Sequence, residues 1–430
     1  MRNSRFIFGS FIFILLVGCT SVDSRKQFVE ENIIYACEQT HCMLTSLGET
    51  QGRYPRSTKK DGSLSTTDIY GWTSGFFPGT LWMLYELTND SCWKEKAVEW
   101  TLPLEPNKYN TKDHDVGFMM YNSFGRGFAL TKDKSYRDIL VQTANSLMTR
   151  FNPNVHSIKS WEGGKAPHDT IVWQFPVIID NMMNLELLFW ASKETGDKKY
   201  YDVAVTHANT TIKNHLREDF SCYHVVDYDS ITGEIRDKAT AQGYADNSAW
   251  ARGQAWGIYG FTMVYRETGD PKYLSVAQKM ADFFLNNPSL PEDKIPLWDF
   301  NVGQDGYTKG WKFDDTKLGY IPRDASAAAI AASALLELYQ YTKSPEYYDS
   351  AATMIHSLAS DLYRAKLGDN AGFLLKHSTG SLPHGKEIDV PLVYADYYFL
   401  EALSRYLNID NVLDTKESVE NELFNQTDVV

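Results

Sequence analysis

The chain has 430 residues, a formal net charge of -13 and 43% hydrophobic residues, enough for one large or two ordinary globular domains. So acidic a balance excludes nucleic acid as a partner, because phosphate backbones demand a Lys/Arg surface. Any anionic small molecule must then be held by a few locally placed basic residues. Aromatic residues reach 14%, including 11 Trp and 26 Tyr, which suits either a helix-rich core or a cleft whose walls stack on flat sugar faces.

At the N-terminus Arg2 and Arg5 precede an apolar run, Phe6 to Val17, too short to be a permanent membrane span. It ends in Leu16-Val17-Gly18-Cys19-Thr20-Ser21, which resembles the lipobox of bacterial lipoproteins. The resemblance implies a signal peptide over 1–18, lipid on Cys19 as the mature N-terminus, and a place in the bacterial cell envelope, on its periplasmic face. The membrane would be touched only through that lipid. Residues 19–430 are expected to form a single domain. Cys37, Cys42, Cys92 and Cys222 lack metal-ligand spacing with His, so no metal site and no cofactor is expected. Cys37 and Cys42 read as buried thiols.

Amphipathic periodicity predicts helices near 25–48, 72–88, 91–103, 116–131, 134–151, 180–195, 198–215, 249–267, 271–286, 324–341, 345–363 and 390–407. Strand-like alternation is confined to short stretches such as Cys222 to Tyr228. A recurring phrase joins the helices in pairs: Leu87-Thr88-Asn89-Asp90, Leu130-Thr131-Lys132-Asp133, Glu194-Thr195-Gly196-Asp197, Glu267-Thr268-Gly269-Asp270 and Tyr341-Thr342-Lys343-Ser344. Each is the chemistry of a helix stop followed by an N-cap. Twelve helices paired as hairpins predict an all-α (α/α)6 barrel, with long loops before every second helix gathered at one mouth.

Those mouth-side helix starts carry ionisable and aromatic residues. They are Trp72 with Gly75-Phe76-Phe77-Pro78-Gly79, then His114-Asp115-Val116-Gly117-Phe118, then Ile179-Asp180-Asn181-Met182-Met183-Asn184. Gln242 and the run Ser248-Ala249-Trp250-Ala251-Arg252-Gly253-Gln254-Ala255-Trp256 follow, with Arg323-Asp324 and Asp389-Val390 later. Asp is a favoured N-cap, so Asp324 and Asp389 are read as caps. Asp180 differs, because Val177, Ile178 and Ile179 precede it and two Met residues follow. Desolvation there would raise its pKa toward that of a general acid working near neutrality. Asp115, beside His114, is the natural second carboxylate. Two carboxylates in an aromatic cavity are typical of glycosidases in general and do not name a reaction.

Together these four motifs resemble the unsaturated glucuronyl hydrolases, glycoside hydrolase family 88, over residues from about 30 to 407. The resemblance implies the same (α/α)6 fold and hydration of the C4=C5 double bond that polysaccharide lyases leave in a terminal uronic acid. It implies that Asp180 is the general acid/base, with Asp115 assisting and helping to keep it protonated by like-charge coupling. His114, His224 and Gln242 fall at polar substrate contacts. Trp72, Trp250 and Trp256 fall at stacking positions with Arg252 beside them; Trp161 takes a further one, with Trp173 competing for it. The implied partner is an anionic unsaturated oligosaccharide. Ser378, Ser381 and Lys386, before the last helix, resemble a Ser-x-x-Ser-Lys sulfate contact, although Lys386 comes late; a plain loop is the other reading. The lean is toward glycosaminoglycan disaccharides. Two alternatives stay open: an unsaturated rhamnogalacturonyl hydrolase acting on pectin fragments, and a glycan-binding lipoprotein without catalysis.

Overall fold

The structure is a computed structural model that describes residues 9–47, 52–167 and 172–409, with side chains from Ser24 onward. The Cys19 side chain and the other side chains of the expected leader, like the tail over 410–430, lie outside what is described. Among the described residues no helix is long and apolar enough to cross a membrane.

Among the described residues twelve helices follow in order: α1 (Gly9–Leu47), α2 (Phe76–Thr88), α3 (Ser91–Thr101), α4 (116–131), α5 (Lys134–Met148), α6 (Asn181–Thr195), α7 (Lys198–His215), α8 (Ala251–Thr268), α9 (Pro271–Leu285), α10 (Ala325–Thr342), α11 (Pro345–Leu358) and α12 (Val393–Leu407). The even-numbered helices touch in sequence, and α12 returns to α2, closing an inner ring. The odd-numbered helices lie outside it, so the expected (α/α)6 barrel is what forms. Composition decides which helix goes where. In α10 every residue from Ala325 to Leu338 is buried, and its many Ala and Ser let α8 and α12 approach on either side. The outer α5 instead buries one stripe, Tyr136, Ile139, Leu140, Thr143, Ala144 and Leu147, at helical spacing.

The repeated phrase is the hairpin turn itself. Thr88, Thr131, Thr195, Thr268 and Thr342 each donate a hydroxyl to the carbonyl four residues back. Each then accepts the backbone N–H two residues on. Between them Asn89, Lys132, Gly196, Gly269 and Lys343 take the left-handed conformation, with φ from 55° to 75°. Asp90, Asp133, Asp197 and Asp270 cap the next helix through its second N–H. Ser344, in the fifth copy, makes no side-chain cap bond.

The opposite end holds the long connections. The expected helix over 72–88 begins only at Phe76, because 71–75 form tight turns that leave Trp72 in the loop. The helix expected to reach residue 363 stops at Leu358, and 91–103 tightens at Leu102 into a 3-10 segment bearing Pro103 and Pro106. Short strands line the mouth, of which Val225–Tyr228 falls in the stretch expected from sequence and the others were missed. Pro176–Ile178, Val225–Tyr228 and Ile235–Ala239 form one antiparallel sheet, while Ser378–Ser381 pairs with Lys386–Val390. Runs of two to five residues carry too little alternation to be seen; pairing creates them.

Candidate active site

Two carboxylates stand at the N-terminal ends of neighbouring inner helices. Asp115 precedes α4 and Asp180 precedes α6, and neither side chain caps its helix. Both are therefore free for chemistry, unlike an ordinary N-cap. Gly117 brings the two helices together. A Cβ there would run into Asn184, whose Oδ1 instead accepts the Phe118 N–H at 2.9 Å. The spacing of His114-Asp115-x-Gly and Asp180-x-Met-Met-Asn is thus a contact motif that holds the acids side by side.

Asp180 is delivered by the strand Pro176–Ile178, and Ile179 N–H donates to the His224 carbonyl at 3.1 Å. Its side chain is 13% exposed and Oδ2 has no hydrogen-bond partner. Burial pushes its pKa up to about 7, with the Arg252 charge pulling the other way. His224 Nδ1 accepts the N–H groups of Ala241 (3.1 Å) and Gln242 (3.2 Å). The ring proton therefore sits on Nε2, 3.8 Å from Asp180 Oδ2. Burial holds His224 neutral, and Trp250 packs against its ring at 4.5 Å.

Asp115 accepts no cap bond, but its N–H donates to Asp113 Oδ1 at 3.0 Å. Its pKa is raised well above the carboxylate range by burial, then by the charges of Asp113 and Asp180. His114 is 1% exposed, lies with Nε2 3.3 Å from Asp115 Oδ1, and is kept neutral by burial. Burial raises the proton affinity of both carboxyls; for Asp115 the charges of Asp113 and Asp180 add to it, while for Asp180 the Arg252 charge opposes it.

These residues line a cavity of about 190 Å³ with Trp72, Trp161, Ile178, Ala241, Gln242 and Arg252. Gln242 is held by its own N–H to His224 Nδ1, and the buried Asp299 fixes the loop after it by accepting the Tyr244 N–H and the Ser248 hydroxyl. Arg252 is 1% exposed and lies between the Trp250 and Tyr394 rings, at 4.5 and 5.4 Å. Its Nη1 donates to Asp324 Oδ2 (2.7 Å) and the Thr379 carbonyl (2.6 Å), and Nη2 to the Gly380 carbonyl (2.6 Å). Asp324 is also the predicted cap, through Ser326 N–H.

Several expected positions lie elsewhere. Trp256 is 1% exposed and packs on Phe118 and Tyr398 inside the barrel, away from the cavity. Six residues of helix carry it about 9 Å down from Trp250. Trp250 itself is 2% exposed and backs His224 and Arg252, so it offers no face to a sugar. Trp161 lines the cavity, and Trp173 packs edge-on behind it at 5.9 Å. Ser378, Ser381 and Lys386 do not converge on the cavity. Ser378 is fully buried, Ser381 bonds His384 Nδ1 at 2.7 Å, and Lys386 is exposed on the returning strand. The extra residues before Lys386 form the hairpin turn, and the strand Ser378–Ser381 is buried along its whole length. Asp389 is no helix cap: α12 starts at Val393, and the Asp389 carboxylate holds His377 Nδ1 and the Tyr320 hydroxyl, each at 2.6 Å. Sequence reasoning missed Ile178 and Ala241 in the wall, and Asp113, whose Asp two residues before an N–H is an Asx-turn signal. Among the described residues no cluster of three or more His, Cys, Asp or Glu is placed to hold a metal ion.

A family model described as Glycosyl Hydrolase Family 88 matches residues 45–267. An unsaturated glucuronyl hydrolase of Formosa agariphila is 50% identical over 404 residues, covering 92% of this chain and 96% of that protein. An unsaturated chondroitin disaccharide hydrolase of Streptococcus agalactiae is 34% identical over 410 residues, covering 91% and 96%. The crystal structure of an unsaturated glucuronyl hydrolase specific for heparin superposes with a TM-score of 0.81 at 45% identity, covering 90% of this chain and 98% of that one.

Proposed function

The chain belongs to Glycosyl Hydrolase Family 88 and is an unsaturated glucuronyl hydrolase, and we propose that Asp180 is the general acid and base of its reaction. The observation that carries this is the buried, unpartnered Asp180 carboxyl, with a pKa near 7, in an aromatic-walled cavity. The substrates are lyase-generated oligosaccharides, glycosaminoglycan disaccharides in particular, which the chondroitin and heparin activities named for the relatives support.

In a 4,5-unsaturated uronic acid the ring oxygen and the C4=C5 bond form an enol ether. Asp180 gives its proton to C4, and an oxocarbenium-like centre forms at C5. The resulting carboxylate then takes a proton from the water that adds to C5. The hemiketal opens to a C5 ketone, and the ring oxygen becomes a hydroxyl on C1. C1, now a hemiacetal bearing the leaving sugar, collapses to an aldehyde and releases it. One residue returned to its starting state suffices, and no nucleophile at C1 is needed. His224 Nε2–H and a protonated Asp115 present hydrogen-bond donors to the same cavity, and Trp72 and Trp161 give the sugar rings apolar faces.

Asp180→Asn abolishes loss of the unsaturated sugar's ultraviolet band and leaves binding in place; full retained activity would overturn the assignment. The lipobox-like 16–21 segment supports attachment to the cell envelope through Cys19. Cys19→Ala then moves the protein from the membrane fraction to the soluble fraction, and unchanged partition would count against it.

A further inference from the structure

A second cavity, of about 190 Å³, lies on the barrel axis beneath the active site and matches it in volume. Phe118 and Met183 separate the two. Each stands one turn along its helix from Asp115 or Asp180, and Phe118 packs on Trp72 at 5.8 Å. The lower cavity is walled by the rings of Tyr121, Tyr259, Tyr397 and Tyr398.

Its charges are spent on one another. Arg266 pairs with Glu186 and Glu337, Arg405 with Glu337 and Glu401, and Arg126 with Glu401. Arg126 also lies over the Tyr397 ring and Arg405 over that of Tyr259. An anion would have to take a guanidinium from a carboxylate, and a cation the reverse. A neutral, hydroxylated molecule meets no such cost, and tyrosine faces bordered by polar groups match its alternating apolar and polar surface.

Asn122 independently points to a ligand. It lines the cavity, is 9% exposed, and its Nδ2 has no partner, although Oδ1 accepts the Tyr397 hydroxyl at 3.3 Å. Buried amide donors are normally satisfied. Asn122 and Tyr121 sit on a π-helical turn, Tyr121–Gly125, that interrupts α4, and such turns recur at functional sites.

We propose that this lower cavity binds a neutral monosaccharide, and that the N-acetylhexosamine freed by the hydrolase is one such ligand. The choice of sugar rests on the proposed function; the site does not. Titration calorimetry with N-acetylgalactosamine on wild type, Asn122→Leu and Ala129→Trp tests it. Ala129 is exposed at the cavity's edge and remote from the two catalytic carboxylates. Wild type should bind the sugar, and each variant should bind it roughly tenfold more weakly, the worth of one buried hydrogen bond or a blocked entrance. Disaccharide turnover by Ala129→Trp should be unchanged. No binding by wild type, or unchanged binding by Ala129→Trp, which decides alone if Asn122→Leu does not fold, would overturn the proposal. A protein that bound the sugar here yet left the unsaturated disaccharide intact would instead count against the enzymatic reading.

Discussion

Replacing Asp180 with Asn should stabilise the protein while it destroys activity. The Asp180 carboxyl ionises near 3.8 when unfolded and at about 7 when folded. Folding therefore opposes its charged form. Below 3.8 both states hold the proton and nothing is lost. Between 3.8 and about 7 the unfolded chain releases a proton that the folded chain keeps, so stability falls as pH rises. Above 7 the penalty is complete. At 1.36 kcal/mol per tenfold change, the gap amounts to about 4 kcal/mol at pH 7.5 and about 1.5 kcal/mol at pH 5, as upper values. Asn cannot ionise and escapes this cost. Denaturant unfolding of both proteins at the two pH values measures it. The variant should gain at both, and more at the higher pH. A destabilised variant, or a gain independent of pH, would refute the claim that burial sets the Asp180 proton affinity.

The same affinity sets the alkaline limb of catalysis. Because the reaction starts from protonated Asp180, kcat/KM should fall as pH rises through about 7, and a profile flat to pH 9 would contradict that role. Asp324→Ala strands the buried Arg252 guanidinium without its carboxylate, so unfolding free energy should drop by about 3–5 kcal/mol; a drop below about 1 kcal/mol, on the scale of a surface pair, would show the pair is not sealed from solvent. Trp161→Ala should raise KM for the disaccharide more than kcat falls, since Trp161 faces the cavity. Equal loss from Trp256→Phe, whose ring lies inside the barrel, would contradict that placement.

Much of the scaffold was legible because its signals are local. Thr and a left-handed residue, followed in four of the five copies by a capping Asp, close these hairpins within four positions, and helical periodicity extends over whole helices. Asp180 stood out for the same reason: apolar neighbours in sequence become apolar neighbours in space when a buried strand runs into a buried helix. Depth was not legible. Trp250 and Trp256 share a motif with Arg252, yet a helix entering the barrel carries the second ring beneath the floor. Nor could sequence show that the turn after Ser381 sends Lys386 outward, since strand register is fixed by pairing across a hairpin.

Running the reaction on an unsaturated chondroitin disaccharide in deuterium oxide, and separately in oxygen-18 water, tests the proposed chemistry most directly. Proton delivery to carbon predicts one deuterium at C4 and, in the first-formed product, labelled oxygen at C5. Unlabelled C4 with labelled oxygen on the anomeric carbon would mean an ordinary glycosidic cleavage, and Asp180 would lose the role given to it.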